Sequence, residues 1–392
     1  MAAREGVHSL TSLSHRGIDV FPLAALAIGA VSFLTPFAAL KENRVVDGLA
    51  VSGTALADPY IIVLAAITAI SVAITTIYRR RQAVYIFSGL IFFWLSIALL
   101  VRANALLGEG AAPRVSPLLG FWGLPAAAYM LISHARLKRG RGRHVILILA
   151  LILPAVIILA DGRGASISVV REFASRRDRF IEEYLVHLRL FSIAVMIAGV
   201  IGIPLGILAS NSKCLAGFLT AFVDGAQTIP SMALFGLLMA PLALLSRTFP
   251  FLRSMGISGV GTAPALIALT LYALLPVVRN TIAGLDGVSE AVLDIGRGMG
   301  MLPKQLFLRV RWPMALPYVL TGLRTASIQA VGNTAVAALI GAGGLGIMIF
   351  QGLGQAAPDL ILLGVIPLIL LAVTVDRIWG WLINRFVSAG LK

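Results

Sequence analysis

Apolar runs of about 20 residues, almost free of charge and separated by short basic connections, recur along the whole chain. Each run is long enough to cross the ~30 Å hydrocarbon core of a bilayer. Inside lipid such a run must be helical, because a helix satisfies its backbone hydrogen bonds internally. Only 12% of the 392 residues are charged, against about 25% in an ordinary soluble domain. We therefore predict an all-α polytopic membrane protein and exclude an ordinary soluble enzyme.

Ten transmembrane helices are predicted when the sequence is divided at its charged connections. The first half contains five runs, near 20–40, 59–78, 83–101, 115–135 and 144–160. The second half contains five more, near 190–210, 216–243, 261–283, 316–340 and 358–381. The first run is too long for the core of a signal peptide, so we expect it to remain as a span.

Basic residues predict the orientation of these spans. They cluster on alternate connections, at Arg4 and Arg16, at Arg79–Arg81 and within 136–143. Since positively charged loops stay in the cytoplasm, both termini are expected inside. The segment 161–189 would then lie outside, although it contains six arginines. An amphipathic surface helix leading into the next span is the favoured interpretation of this segment, and a functional basic patch is the alternative.

Other sequence features exclude several kinds of site. The net charge of +15 is spread over many short connections, which disfavours a nucleic-acid surface. The one cysteine, Cys214, cannot form an internal disulfide, and the five histidines show no metal-ligand spacing. No metal site is predicted.

The connection 284–314 differs from the others because it is both charged and helical in its apolar spacing. We interpret it as a structured cytoplasmic element. Pro303 is expected to separate one short helix from a second helix over 304–310, giving a helix-turn-helix that lies against the membrane.

The spacing within this element resembles the coupling-loop signature of ABC-importer permeases, E-A-A-x3-G-x9-I-x-L-P. Asp294, Ile295 and Gly296 are followed after three residues by Gly300 and after nine more by 310–313, Val-Arg-Trp-Pro. Asp, Ile, Gly, Val and Trp here replace five of the consensus residues. The resemblance implies that ATPase coupling involves Asp294, Gly296, Gly300, Pro303, Val310 and Pro313.

Further segments resemble one branch of these permeases, which imports glycine betaine, choline and related osmoprotectants. They are IPLGILAS (203–210), QTIPSMALFGLL (227–238), ALLPVVRNTIAGL (273–285), the run 296–326 and VGNTAVAALIGAGGLG (331–346). The resemblance assigns 185–385 to a permease core of about five helices with the coupling loop 284–314. Residues 1–160 would be an extra N-terminal region of about five helices, and 161–184 a connecting segment.

The resemblance also implies partners. No G-x-x-x-x-G-K-[ST] phosphate loop is present, so the chain is expected to bind no cofactor itself and to depend on cytoplasmic ABC ATPase subunits that use ATP and Mg²⁺. An external substrate-binding protein and a second permease, either another copy or a sister chain, complete the expected assembly. The expected location is the bacterial inner membrane.

Polar residues inside the apolar runs are candidates for the translocation pathway. They are Asp224, Gln227, Pro230, Asn280 and Asn333. An acid at membrane depth usually faces a cavity, and a proline frees a backbone carbonyl that can line one. Asp224 could equally lie near an interface or pair with a neighbouring helix, and hydrogen bonding between helices is the favoured role for the two asparagines.

The predicted function is thus the permease subunit of an ABC importer for quaternary-ammonium osmoprotectants. The alternatives are a permease for another small solute such as an amino acid, and a secondary carrier that works without ATP. A secondary carrier would be expected to show inverted repeats and charged midplane residues in both halves, and neither is evident. A membrane scaffold would leave the coupling spacing unexplained.

Overall fold

The structure, a computed structural model, describes residues 20–42, 48–78, 83–107, 113–135, 161–162, 164–254 and 256–386. The span predicted near 144–160 lies outside these residues. The chain divides into two units, Met1–Ala174 and Ser175–Lys392, and each is described separately.

The first unit combines helices with a small sheet. Its helices are α1 Val20–Leu34, α2 Gly53–Leu56, α3 Pro59–Tyr78, α4 Ala83–Ala103 and α5 Leu119–His134, and α6 Ser168–Ser175 lies at the boundary with the second unit. Its strands are β1 Pro36–Lys41, β2 Leu49–Ser52 and β3 Arg114–Pro117. The strands are antiparallel in the order β2-β1-β3, with Ala39 opposite both Ala50 and Ser116.

This sheet corrects two predicted spans. The span near 20–40 ends as a helix at Leu34, and the span near 115–135 begins as a helix only at Leu119. Pro36 disfavours helical backbone at the residue before it, and the apolar strand that follows has the hydropathy of a continuing span. Phe37 and Val115 are fully buried in the core of this unit, so these apolar residues of β1 and β3 pack inside the protein and not against lipid.

Buried ion pairing accounts for charged residues beside the sheet. Arg114 at the start of β3 contacts Glu172 on α6 at 3.0 Å, and both side chains are less than a tenth exposed. Arg171 donates to the carbonyl of Pro113 at 2.6 Å, while Val115 forms a bridge with Ile167. Together these contacts hold α6 against β3.

Helix α3 of the same unit has a capped N-terminus. The carboxylate of Asp58 accepts a hydrogen bond from the Ile61 amide at 2.8 Å and also pairs with Arg102 on α4. The amide hydrogen bond, helped by the Arg102 charge, lowers the pKa of Asp58 below its usual value.

The second unit contains the longest helices. They are α7 Arg177–Ala209, α8 Lys213–Thr228, α9 Ser231–Thr248, α10 Pro250–Ser254, α11 Thr262–Asp286, α12 Glu290–Gly298, α13 Pro303–Leu306, α14 Trp312–Ala337, α15 Gly346–Gly354 and α16 Pro358–Phe386. A π-helical turn over Phe307–Arg311 joins α13 to α14, and a 3₁₀ turn follows α14 at Ala338–Ile340.

Three predicted spans in this unit have different bounds. The span near 190–210 is the second part of the 33-residue helix α7, because Arg179 and Glu183 pair on its first turns and the helix continues through the charged segment. The span near 216–243 is two helices, α8 and α9, separated at Ile229 and Pro230. The span near 316–340 begins as α14 at Trp312 and ends at Ala337.

Helix α11 is the centre of the second unit, and α7 and α14 approach it through glycines. A Cβ on Gly206 of α7 would lie 2.6 Å from the Cβ of Thr281, and one on Gly322 of α14 would lie 2.7 Å from the Pro276 carbonyl oxygen. Small residues at such crossings let helix backbones approach closely in a membrane.

Membrane spanning is supported by helix length and composition. Within the described residues six helices are long and apolar enough to cross a bilayer: those over 59–77, 83–106, 177–209, 231–248, 262–286 and 358–386. The all-α membrane class is therefore confirmed apart from the small sheet, and the total of ten spans stays a prediction. Helix α14 is also long enough at 26 residues, and its polar side chains pair with α16, where Arg324 contacts Asp376 at 2.5 Å and Ser327 accepts from Trp379 at 2.8 Å.

Candidate functional site

The candidate coupling element consists of α12, the turn after it and α13. Helix α12 ends in a Schellman motif, in which Gly300 donates to the carbonyl of Arg297 at 2.9 Å and Met301 donates to that of Gly296 at 3.1 Å. Gly300 has φ +78°, and a Cβ there would meet no atom of the described chain within 4 Å. Glycine is thus required here by the left-handed backbone and not by crowding within the chain.

Packing explains why a small residue, Gly296, lies at the third position of the coupling signature. It is buried, and an added Cβ would lie 2.5 Å from the Cδ1 of Leu306 on α13. The two short helices therefore fold back on one another across Gly296. The predicted helix-turn-helix is present, although its first helix ends before Pro303.

Pro303 occupies the first position of α13, where its missing amide costs no helical hydrogen bond. The amide of Leu302 donates to Gln305 Oε1 at 3.0 Å, and this hydrogen bond caps the N-terminus of α13. The predicted second helix over 304–310 is wrong in its end, because the helical chain continues through the π-turn into α14. Pro313 cannot donate to a preceding turn, and the wider π-turn that ends at Arg311 accommodates it.

Arg311 ties this element to the rest of the second unit. Its guanidinium donates to the Leu285 carbonyl at 3.2 Å, donates to Asn211 Oδ1 at 3.1 Å and lies 3.6 Å from Asp286 Oδ1. These partners belong to the end of α11 and to the turn between α7 and α8. A cavity of about 640 Å³ lies beside Arg311, between Ile207 and the two short helices. One side chain thus joins the π-turn that follows the element to the end of α11 and to the turn after α7.

The outer face of the element is apolar and unoccupied by any described residue. Ile295, Met299 and Leu302 are 64%, 73% and 64% exposed and follow one another at spacings of four and three residues. Beside them Asp294 and Glu290 contact Arg297 at 2.5 and 3.4 Å. The hydrogen bond to Asp294 raises the pKa of Arg297. An exposed apolar face with a charged edge is typical of a protein-protein contact surface.

The predicted pathway residues Asp224, Gln227 and Pro230 lie together at the break between α8 and α9. Gln227 donates from Nε2 to the Tyr272 carbonyl at 3.0 Å, and the Tyr272 hydroxyl donates to the carbonyl of Ile229. Ile229 immediately precedes Pro230, which begins the next helix. The break is therefore held against the middle of α11.

Asp224 has an ionic partner that sequence reasoning assigned no pathway role. Its Oδ2 lies 2.5 Å from Nη2 of Arg279, seven residues beyond Tyr272 on α11. The two side chains are 39% and 53% exposed, while Oδ1 of Asp224 is buried and has no hydrogen-bond partner among the described atoms. Sequence reasoning left pairing open as one of two roles, and the ion pair is compatible with both.

The other two pathway candidates lie apart from this group. Asn280 donates to its own helix at Pro276, 2.8 Å away, and packs where Gly322 of α14 crosses α11. Asn333 lies half-buried on α14. Neither takes part in the hydrogen bonds that join Asp224 or Gln227 to α11.

A second polar cluster was missed from the sequence. Glu183 on α7 is 3% exposed and accepts a 2.7 Å hydrogen bond from the amide of Gly344, in the glycine-rich turn after α14. His187, one turn later, is fully buried with its Nε2 3.1 Å from the Val331 carbonyl oxygen. A buried acid bonded to a backbone amide leaves little sequence signal, since its partner is 161 residues away. This cluster ties α7 to the turn.

No group of three or more His, Cys, Asp or Glu side chains in the described part of the chain could hold a metal ion.

Comparison with known proteins identifies the family to which this chain belongs. Residues 202–388 match the family model for the binding-protein-dependent transport system inner membrane component, and residues 16–170 match that for the ABC transporter permease YehY, N-terminal domain. The carnitine transport permease protein OpuCB of Listeria monocytogenes is 36% identical over 57% of this chain and 96% of its own. The chain belongs to the inner membrane components of binding-protein-dependent transport systems, the permease subunits of ABC importers.

Two other relatives carry related names. The osmoprotectant import permease protein OsmW of Salmonella typhimurium is 39% identical over 51% of this chain and 86% of its own. The glycine betaine/carnitine/choline transport system permease protein OpuCD of Bacillus subtilis is 36% identical over 52% of this chain and 82% of its own. The predicted family is confirmed, and the N-terminal match is one for which the sequence offered no motif.

Proposed function

We propose that this permease subunit imports quaternary-ammonium osmoprotectants such as glycine betaine or choline. The observation that carries the solute class is the similarity to OpuCB, OsmW and OpuCD, whose names specify carnitine, osmoprotectants and glycine betaine, carnitine or choline. These relatives align over more than four fifths of their own length. The three individual solutes in these names, glycine betaine, carnitine and choline, share a trimethylammonium group.

Hydrolysis of ATP is assigned to a partner. The proposed docking surface for an ABC ATPase is the exposed face of Ile295, Met299 and Leu302. ATP and Mg²⁺ would bind at that ATPase, which would move the coupling element as a rigid body. Because Arg311 connects the element to the ends of α7 and α11, this displacement would tilt both helices and alternate access to the pathway.

The proposed pathway runs along the break between α8 and α9. Asp224, Gln227 and Pro230 lie on it, and Asn280 and Asn333 are its remaining candidates on α11 and α14. A discontinuous helix at membrane depth is tolerated where it lines a cavity or is buried in protein. The half-exposed state of Asp224 in the single chain favours a surface that faces a second permease across the pathway.

The proposed orientation keeps both termini in the cytoplasm. The basic connections at Arg79–Arg81 and within 136–143 would then be inside, together with the coupling element. The sheet of the first unit and the segment 161–189 would lie outside. Arg114, Arg171 and Arg179 are held there by protein partners, so these positive charges are compatible with an external segment.

The proposed division of labour assigns transport to 185–385, with 161–184 as a connection and 1–160 as an N-terminal region of separate function. The relatives support it because they match only about half of this chain while covering most of themselves.

Copurification with a candidate ABC ATPase tests the assignment. The lone chain is expected to hydrolyse no ATP. With the ATPase subunit and a betaine-loaded binding protein, hydrolysis should be stimulated, and the same binding protein without solute should stimulate it less. Robust hydrolysis by the lone chain would contradict the proposal, as would stimulation by a binding protein loaded with a neutral amino acid but not with betaine.

A further inference from the structure

We propose that Asp224 and Arg279 form a two-part recognition site for a zwitterion, in which Asp224 receives the quaternary nitrogen and Arg279 receives the carboxylate. The inference rests on the proposed function and assigns a solute-selecting role to Arg279. The pair lies beside the helix break that is proposed to line the pathway.

Both side chains of the pair are partly exposed, and the contact between them is the one ionic contact that either makes among the described residues. Only one carboxylate oxygen of Asp224 is engaged, since Oδ2 contacts Arg279 at 2.5 Å while Oδ1 has no described partner. The guanidinium is 53% exposed and has no other hydrogen bond recorded in the described chain beyond Asp224. Each group can therefore give up its contact with the other for a charge on the solute, without losing a second contact with the protein.

The surroundings hold the two groups in fixed positions. Gln227 lies one helical turn after Asp224 and is anchored to the Tyr272 carbonyl, while Tyr272 is two turns before Arg279 on the same face of α11. The Tyr272 hydroxyl closes the link by donating to Ile229. The carboxylate and the guanidinium thus project from two helices that are joined at the break.

The chemistry of the two groups matches the two ends of a betaine. A trimethylammonium group has no N–H and cannot form a directed hydrogen bond, so it needs a negative charge without competing donors. A carboxylate fits the planar fork of an arginine, which can donate two parallel hydrogen bonds. A zwitterion that enters between Asp224 and Arg279 replaces their mutual contact and leaves both charges compensated.

A cation without a carboxylate can compensate only one of the two charges of the pair. Choline can compensate Asp224 but leaves the charge of Arg279 without a counter-ion inside the proposed pathway, which is unfavourable. The site is therefore expected to favour glycine betaine over choline, and Arg279 is the residue that creates the preference. Removing its charge should remove the penalty on choline and the attraction for the betaine carboxylate together.

The test measures uptake of radiolabelled glycine betaine and choline by the whole complex in proteoliposomes, with one binding protein that binds both solutes. Arg279→Gln is expected to lower the ratio of betaine to choline uptake about tenfold, the scale of one charge-assisted hydrogen bond. Asp224→Asn should lower the uptake of both. As Arg279→Gln leaves an unpaired acid, the double variant with Asp224→Asn provides a neutral pair, and it should lose the preference for betaine.

A second ion pair between helices is the matched control. Arg324 and Asp376 lie at the same 2.5 Å separation on α14 and α16. The double variant Arg324→Gln with Asp376→Asn should leave the uptake ratio unchanged. An unchanged ratio in Arg279→Gln and in the double variant with Asp224→Asn, or an equal change in the control, would overturn the two-part site while betaine import stands. A wild-type complex that imports neither solute would instead refute the proposed function.

Discussion

At the scale of single residues, a buried carboxylate connects two distant parts of the second unit. Glu183 bonds the Gly344 amide and pairs with Arg179 at 2.6 Å, so one side chain joins α7 to the turn after α14. Its neighbour Glu182 is 65% exposed and lies 3.9 Å from the same arginine. The two adjacent acids thus share an ionic partner and differ in burial.

Replacement of these two acids is the first prediction. Glu183→Ala leaves the Gly344 amide unpaired inside the protein and should destabilise the folded state by about 1–3 kcal/mol. Glu182→Ala should change stability by less than about 0.5 kcal/mol, as expected for an exposed position. Thermal unfolding of the detergent-solubilised protein measures both. Equal melting temperatures for the two variants would show that the bond to Gly344 contributes nothing.

Gly300 and Gly298 differ in backbone conformation within one turn. Gly300 has φ +78°, whereas Gly298 lies within α12, and a Cβ on either would meet no described atom within 4 Å. Gly300→Ala should strain the Schellman turn by about 1–2 kcal/mol, and Gly300→Asp would add a charge at the proposed ATPase contact. Both should reduce ATPase copurification, and Gly298→Ala, which favours helix, should not. Normal copurification and uptake in both Gly300 variants would refute a role in coupling.

At the scale of elements, hydropathy and spacing predicted helices well but could not locate every helix end. The strand over 36–41 is mostly apolar, like a continuing span, and its pairing with the other two strands distinguishes it. The charged segment before the span near 190–210 is predicted as a surface helix that leads into this span, and the structure shows that the two form one continuous helix, α7. The sequence predicts Pro230 as a pathway residue, but it does not predict that this residue divides one span into two helices.

Within the candidate site, the helix-turn-helix of the candidate coupling element is the local structure that the sequence predicted most closely. Its spacing predicts local structure, because Gly296, Gly300 and Pro303 each take part in a turn, a helix start or a contact within about ten residues of the chain. The ion pair of Asp224 with Arg279 depends instead on two helices 55 residues apart in sequence. A partner at that separation cannot be read from one sequence, and for this reason the pairing was left as an open alternative.

The exposed face of α12 carries the third prediction. Ile295→Asn should weaken copurification with the ATPase severalfold, because it removes apolar surface from the proposed contact. The variant is expected to fold normally, because Ile295 is 64% exposed. Glu290→Asn on the same helix is the control, and its effect should be smaller because exposed charges contribute little to a contact. Equal retention of the ATPase by both variants would exclude this face from docking.

At the scale of the whole molecule, two units with separate family matches suggest separate tasks. The family model for the inner membrane component matches 202–388 in the second unit, and the match at 16–170 lies in the first unit. A truncated chain lacking 1–160 is therefore expected to insert and to retain measurable uptake with its partners. Copurification of the ATPase checks insertion and folding independently of transport. Loss of uptake despite normal ATPase binding would instead make the N-terminal spans part of the mechanism.

The central claim, ATP-driven import of quaternary-ammonium solutes, is tested most directly by uptake into proteoliposomes that contain this chain, its ATPase, its partner permease where one exists, and a binding protein. Radiolabelled glycine betaine, choline, proline and a neutral amino acid are compared with and without ATP. Accumulation of glycine betaine or choline that requires both ATP and the binding protein is the expected result. ATP-dependent accumulation of the neutral amino acid alone, or betaine uptake that is independent of ATP, would contradict the account.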